Sequence, residues 1–301
     1  MGLFTNGKCK SKARLDGKTA IITGANTGIG YETALELVRR GARVILACRS
    51  TERAEGAAKK LRDAITGAQV RIVSLDLASL RSVKSCADEI LLSETAIHLL
   101  INNAGVMMCP YERTEDGLEM QFQSNHLGHF LFTLLLLPRL KASAPARIVN
   151  LSSYAHKFGK INFNDLQSTK SYSPTGAYGQ SKLCNILFTL ELQKRLQGSG
   201  VVAYAVHPGA VSTELQRHLP SCLTWTSAHV SGSLFKTPKQ GAQTTLQCAI
   251  DEKLAVQCGL YFSDCKEETP TKRARKPGDA SKLWDVSEEL VSAYLPPTPV
   301  T

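Results

Sequence analysis

Apolar residues along the chain fall into short continuous runs, bounded by glycine or polar turns, that alternate with longer stretches of helical periodicity. Runs near 19–23, 43–47, 70–75, 97–101, 146–151, 201–206 and 259–262 read as strands. Continuous rather than alternating hydrophobicity predicts parallel strands covered on both faces. Between them, patterns such as Ile29, Ala34, Leu37 and Val38, stopped by Gly41, give one apolar face per helix. The alternation predicts an α/β fold: one doubly wound, seven-stranded parallel sheet with helices on both faces. No linker or repeat interrupts the 301 residues. The expected organisation is a basic segment over 1–15 and a single domain over 16–301, its halves meeting near 150.

The first strand runs straight into Thr23-Gly24-Ala25-Asn26-Thr27-Gly28-Ile29-Gly30. Strand, glycine turn and helix make the first half of a dinucleotide-binding unit. Glycines let a pyrophosphate approach the backbone, and the helix N-terminus supplies N–H groups and partial positive charge. The spacing departs from G-x-G-x-x-G, so the setting carries the reading; a purely structural turn is the alternative. The second strand ends in Cys48-Arg49-Ser50, where an NAD-preferring site has Asp or Glu. A guanidinium there suits a 2′-phosphate, so NADP(H) is expected over NAD(H), with a solvated arginine as the alternative.

Later strand ends repeat small or polar residues along one edge. Asp76 and Leu77 close the third strand, with Asp76 placed for an adenine amino group or for capping the next helix. Asn103, Ala104 and Gly105 follow the fourth, suited to close passage of a ligand or to a plain turn. Ser152 and Ser153 end the fifth, either one able to hydrogen-bond a substrate oxygen. Pro208 and Gly209 end the sixth as a rigid turn beside a nicotinamide, and Thr213 offers a hydroxyl to its carboxamide.

Beyond that series stand Tyr178 and Lys182, four residues apart. If Tyr178 opens a helix, both share a face, and an ammonium beneath the phenol favours phenolate and lowers its pKa. Such a phenol exchanges a proton with an alcohol or carbonyl near neutral pH. A Tyr and a Lys on an ordinary amphipathic helix are the alternative.

Composition narrows the classes. Apolar residues at 43% and charged ones at 21% describe a soluble globular chain. Nine scattered cysteines without C-x-x-C fit reduced core thiols, and no metal site is expected. Net charge is +10, concentrated at Lys8–Arg14 and Lys272–Lys276. These runs read as solvated faces, or as attractors of anionic headgroups in a peripheral membrane contact. No nucleic-acid motif accompanies them. No run is long enough to span a bilayer and no secretory signal is expected. Leu134 to Leu137 read as a core helix ended by Pro138.

Together these residues resemble the short-chain dehydrogenase/reductase family, over about residues 15–295. The likeness rests on Thr23-Gly24 through Gly30, Asn102 to Gly105, Asn125, Ser153, Tyr178, Lys182 and Pro208-Gly209. Within it the chain looks most like the microsomal, NADP-preferring retinol dehydrogenases, through ACR at 47–49, INNAGVMMCPY at 101–111, NHLGHF at 125–130 and YFSDC at 261–265. The resemblance implies a Rossmann fold with a cofactor half before residue 150 and a catalytic half after it. It implies Tyr178 as general acid/base, Lys182 lowering its pKa and holding the nicotinamide ribose, Ser153 orienting the substrate oxygen, and Asn125 anchoring a water beside Lys182. It places a substrate lid at 216–235, less apolar here than a long retinoid chain would favour, or simply a surface loop. The implied activity is interconversion of lipophilic primary alcohols and aldehydes, retinol and retinal foremost. A steroid-ketone or lipid-aldehyde reductase and a non-catalytic NADP-binding scaffold or redox sensor are the alternatives. Family members often pair as homodimers. Relatives carry an apolar anchor where this chain has its basic run, so a cytoplasmic-side protein, peripheral to endoplasmic reticulum or lipid droplet, is expected.

Overall fold

The computed structural model describes residues 7–212, 235–254 and 261–296. One sheet runs in the order β3-β2-β1-β4-β5-β6-β7-β8. Its strands are β1 (Thr19–Thr23), β2 (Arg43–Cys48), β3 (Val70–Ser74), β4 (Leu99–Asn102), β5 (Ala146–Leu151), β6 (Val201–His207), β7 (Tyr261–Ser263) and β8 (Lys266–Glu267). Pairing is parallel from β3 through β7, and β8 folds back antiparallel on β7. The expected seven strands thus gain an eighth. Its two residues are charged, too few and too polar to leave an apolar signal. Asp264 and Cys265 supply the two positive φ angles of its turn, 50° and 59°, without the glycine that would have announced it.

Side chains on each strand alternate between two cores. Ile21, Ile45, Leu100 and Ile148 face one layer, built with α3 (Leu80–Ser93), α4 (Gly128–Ala142), α5 (Pro174–Arg195) and α7 (Asp279–Val291). Ile22, Leu46, Ile101 and Val149 face the other, built with α1 (Gly28–Arg39), α2 (Thr51–Ala64) and α6 (Pro238–Ile250). Both faces are dry, which is why the runs are continuous. Each fully buried Leu or Ile contributes about 1.5–3 kcal/mol by its removal from water.

The helix α4 continues through Pro138 to Ala142 rather than ending there. The ring removes one intrahelical bond, while Leu140 beyond it is fully buried in the core. The basic segment is no free tail. Arg40 donates to the carbonyls of Ser11 and Ala13, and Ser11 Oγ reaches Ile250 O, strapping residues 9–15 along α1 and α6. Among the described residues no helix is long and apolar enough to cross a membrane.

Strand order reverses between β1 and β4. Their crossovers leave in opposite directions, so a crevice opens above their C-terminal ends, the place where sheets of this kind take ligands.

Candidate active site

A cleft of about 420 Å³ occupies that crevice. Gly24, Asn26, Thr27, Gly28, Ile29 and Gly30 form its floor. Gly24 has φ +64°, and a Cβ there would lie 2.9 Å from Ala104 Cβ. A Cβ on Gly30 would stand 2.5 Å from Gly24 O. Neither position tolerates a side chain, so the turn closes tightly onto the end of β4. The Ala25 side chain is fully buried in the α1–β2 core and does not line the cleft.

The turn is fastened by β4. Asn103 Nδ2 donates to Thr23 O at 2.8 Å, so Asn103 serves the turn as well as lining the cleft. Thr23 Oγ1 accepts the N–H groups of Asn103 and Ala104, both at 2.9 Å. Its own proton therefore points to His129 Nε2, 2.8 Å away. The ring proton then sits on Nδ1 and donates to Asn125 O at 3.1 Å. Burial holds His129 neutral, pushing its pKa down to about 3. Sequence reasoning has no signal for His129; only the three-dimensional neighbours reveal it.

At the far end Arg49 is exposed and lines the cleft. Beside it stand Ser50 and Arg53, which the sequence reading did not single out. Ser50 caps α2, its Oγ accepting from Arg53 N at 3.3 Å. The signal was available: Arg53 lies four residues after Arg49, at the opening turn of a helix. Asp76 and Leu77 line the wall. Ser79, not Asp76, caps α3; Asp76 instead accepts from Ala78 N in a local turn.

At the near end lie Ser153, Tyr178 and Lys182, with Pro208 and Gly209 opposite. The helix carrying the pair begins one turn before Tyr178, at Pro174, with Ser173 as cap and proline in the first turn. Tyr178 and Lys182 are each 4% exposed. Lys182 Nζ stands 5.7 Å from the Tyr178 ring centroid and donates to Leu151 O at 3.2 Å. Asn185 Nδ2 donates to that same oxygen and to Asn125 O.

The two serines separate. Ser152 Oγ turns into α5, donating to Lys182 O at 2.8 Å. Ser153 faces the cleft beside Tyr178, its Oγ accepting from Ala155 N at 3.2 Å. Asn125 lies behind the cleft lining. Its side chain exchanges hydrogen bonds with the backbone of Val106 (2.8 and 2.9 Å), holding the Gly105–Met107 wall. A π turn, Gln123–Leu127, widens the helix there. Thr213 lies outside the described residues, as does all of the expected lid except Phe235, which lines the cleft.

Electrostatics correct one expectation. Burial pushes Tyr178 up to about 12, the Ser153 hydrogen bond drawing it part of the way back. Burial pushes Lys182 down to about 8. Burial is the larger cause, so Tyr178 is a neutral phenol and a proton donor at pH 7. A glycine cradle, a helix N-terminus and a guanidinium at opposite ends of one cleft fit a nicotinamide dinucleotide lying across it.

A family model described as short chain dehydrogenase matches residues 18–222. The chain is 54% identical to retinol dehydrogenase 12 of Mus musculus over 289 residues, 96% of this chain and 90% of that one. Among solved structures, an uncharacterised protein from Mycobacterium paratuberculosis superposes with a TM-score of 0.76 at 37% identity, covering 96% of this chain and 98% of that one. The NADP complex of RhlG from Pseudomonas aeruginosa gives 0.66 at 26% identity, covering 83% and 95%.

Proposed function

The chain belongs to the short-chain dehydrogenase family and is an oxidoreductase acting on alcohols with a nicotinamide dinucleotide; on that premise we propose that it interconverts lipophilic primary alcohols and aldehydes, retinol and retinal foremost, and prefers NADP(H). The likeness to a retinol dehydrogenase over nearly the whole chain carries the substrate reading. Arg49 at the end of β2, where no carboxylate stands, supports the cofactor preference.

Gly24 to Gly30, Asp76, Leu77, Asn103 to Gly105, Pro208 and Gly209 would hold the dinucleotide along the cleft, with Arg49 at its 2′-phosphate. When bound, the nicotinamide supplies or accepts the hydride. Tyr178 gives its phenolic proton to the carbonyl oxygen as negative charge gathers there, and recovers it in the reverse reaction. Ser153, beside Tyr178 in the cleft lining, orients that oxygen. Lys182 holds a positive charge behind the phenol, itself positioned by Leu151 O.

Following NADPH absorbance with all-trans-retinal, a medium-chain aldehyde and a steroid ketone tests this reading. Retinal should show the highest kcat/KM. Turnover of the steroid ketone with retinal inert would overturn the retinoid assignment. Silence across the panel, with tight NADPH binding, would leave a cofactor-binding scaffold.

A further inference from the structure

Beside the mouth of the cleft two aromatic side chains stand in solvent: Tyr154 is 50% exposed and Phe158 67%. They belong to the one-turn helix Tyr154–Lys157 and its end, capped by Ser153. Their ring centroids lie 5.9 Å apart, and Tyr154 also packs at 6.1 Å against His207, next to cleft-lining Pro208. Lys157 Nζ sits 4.2 Å over the Tyr154 ring.

The fold brings the second basic run of the chain to this same turn. Arg273 donates to Gly159 O at 3.0 Å and to Lys157 O at 3.5 Å. Lys157, Lys160, Lys272, Arg275 and Lys276 are all exposed on the two segments that Arg273 joins. Carboxylates on the same segments are fewer: Glu267, Glu268, and Asp279, which pairs with Lys276 at 3.4 Å. The first basic run lies elsewhere, strapped to α1 and α6, with Arg14 paired to Asp16 at 2.7 Å. Two runs that look alike in the sequence therefore have different surroundings.

We propose that this face docks the protein on an anionic lipid surface, turning the mouth of the cleft toward the bilayer. Exposed aromatic rings that can sit at headgroup depth, on segments rich in lysine and arginine whose cationic groups can meet phosphates, are the chemistry of an interfacial contact. The excess of cations selects anionic headgroups, and Tyr154 and Phe158 add apolar insertion. The docking holds whichever alcohol the enzyme turns over.

Co-sedimentation of the full chain with phosphatidylcholine vesicles, with and without phosphatidylserine, tests it. Binding should require phosphatidylserine. Each lost cation should weaken it about fivefold, and Lys160→Glu/Lys272→Glu/Lys276→Glu should abolish it while leaving the melting temperature unchanged. Phe158→Ser should weaken it, whereas Lys8→Glu/Lys10→Glu/Lys12→Glu should not. Phe158→Trp should add a blue-shifted emission on vesicles. Binding that ignores phosphatidylserine, or that is lost with the N-terminal triple and not with the mouth triple, would overturn the proposal. So would an indole emission, in the Phe158→Trp variant, that vesicles leave unmoved.

Discussion

Tyr178 and Lys182 share a dry pocket in which burial pushes the ammonium down to about 8 and the phenol up to about 12. Carbonyl reduction needs the pair fully protonated: a phenol to give the proton and an ammonium behind it. Alcohol oxidation needs one proton gone. Reduction should therefore be flat through neutral pH and fall as pH rises through about 8, while oxidation rises only toward higher pH, where the phenol ionises. Initial rates of both directions against pH check this, and parallel profiles would contradict it. Lys182→Met should lower the rate of reduction sharply, and what remains should lack the limb near 8. The pair itself was visible in the sequence as a four-residue step. The direction of the Tyr178 shift was not, because it depends on how deeply α5 is buried and not on which residue stands four positions away. The choice between Ser152 and Ser153 was equally hidden, since it depends on which hydroxyl α5 engages.

At the scale of elements, two helix starts shape the floor and the far end of the cleft. The N-terminus of α1 faces the glycine turn, and that of α2 carries Ser50 and Arg53 beside Arg49. Arg49→Asp should lower kcat/KM with NADPH relative to NADH by about tenfold or more, given one charge-assisted contact of roughly 1.5–3 kcal/mol. Arg53 should leave a residual preference that Arg49→Asp/Arg53→Ala removes. An unchanged cofactor ratio in the single variant would take Arg49 out of the site. Strands, glycine turn and helix periodicity were readable because they follow local patterning. The π turn at Asn125 and the Thr23–His129–Asn125 chain were not, since they arise where α4, β1 and β4 meet.

For the whole molecule, the order 3-2-1-4-5-6-7 gathers residues 24, 26–30, 49, 76–77, 103–105, 153, 178, 182 and 208–209 along one sheet edge, though they span most of the chain. Small and polar residues at successive strand ends gave this away in the sequence, because a doubly wound sheet has one ligand edge. The Ala25 side chain, in the same turn, packs in the core, and Asn125, which only the resemblance singled out, holds the Val106 backbone behind the lining. The two basic runs were equal in the sequence; only packing against α1 and α6, or against the Ser153 turn, told them apart. The central claim is that the Tyr178 hydroxyl moves the proton. The direct measurement pairs NADPH binding with retinal reduction in Tyr178→Phe. Turnover should disappear while the dissociation constant stays within about threefold of the parent, because Phe keeps the ring packed and removes only the proton donor. Reduction that persists at a comparable rate would contradict the account.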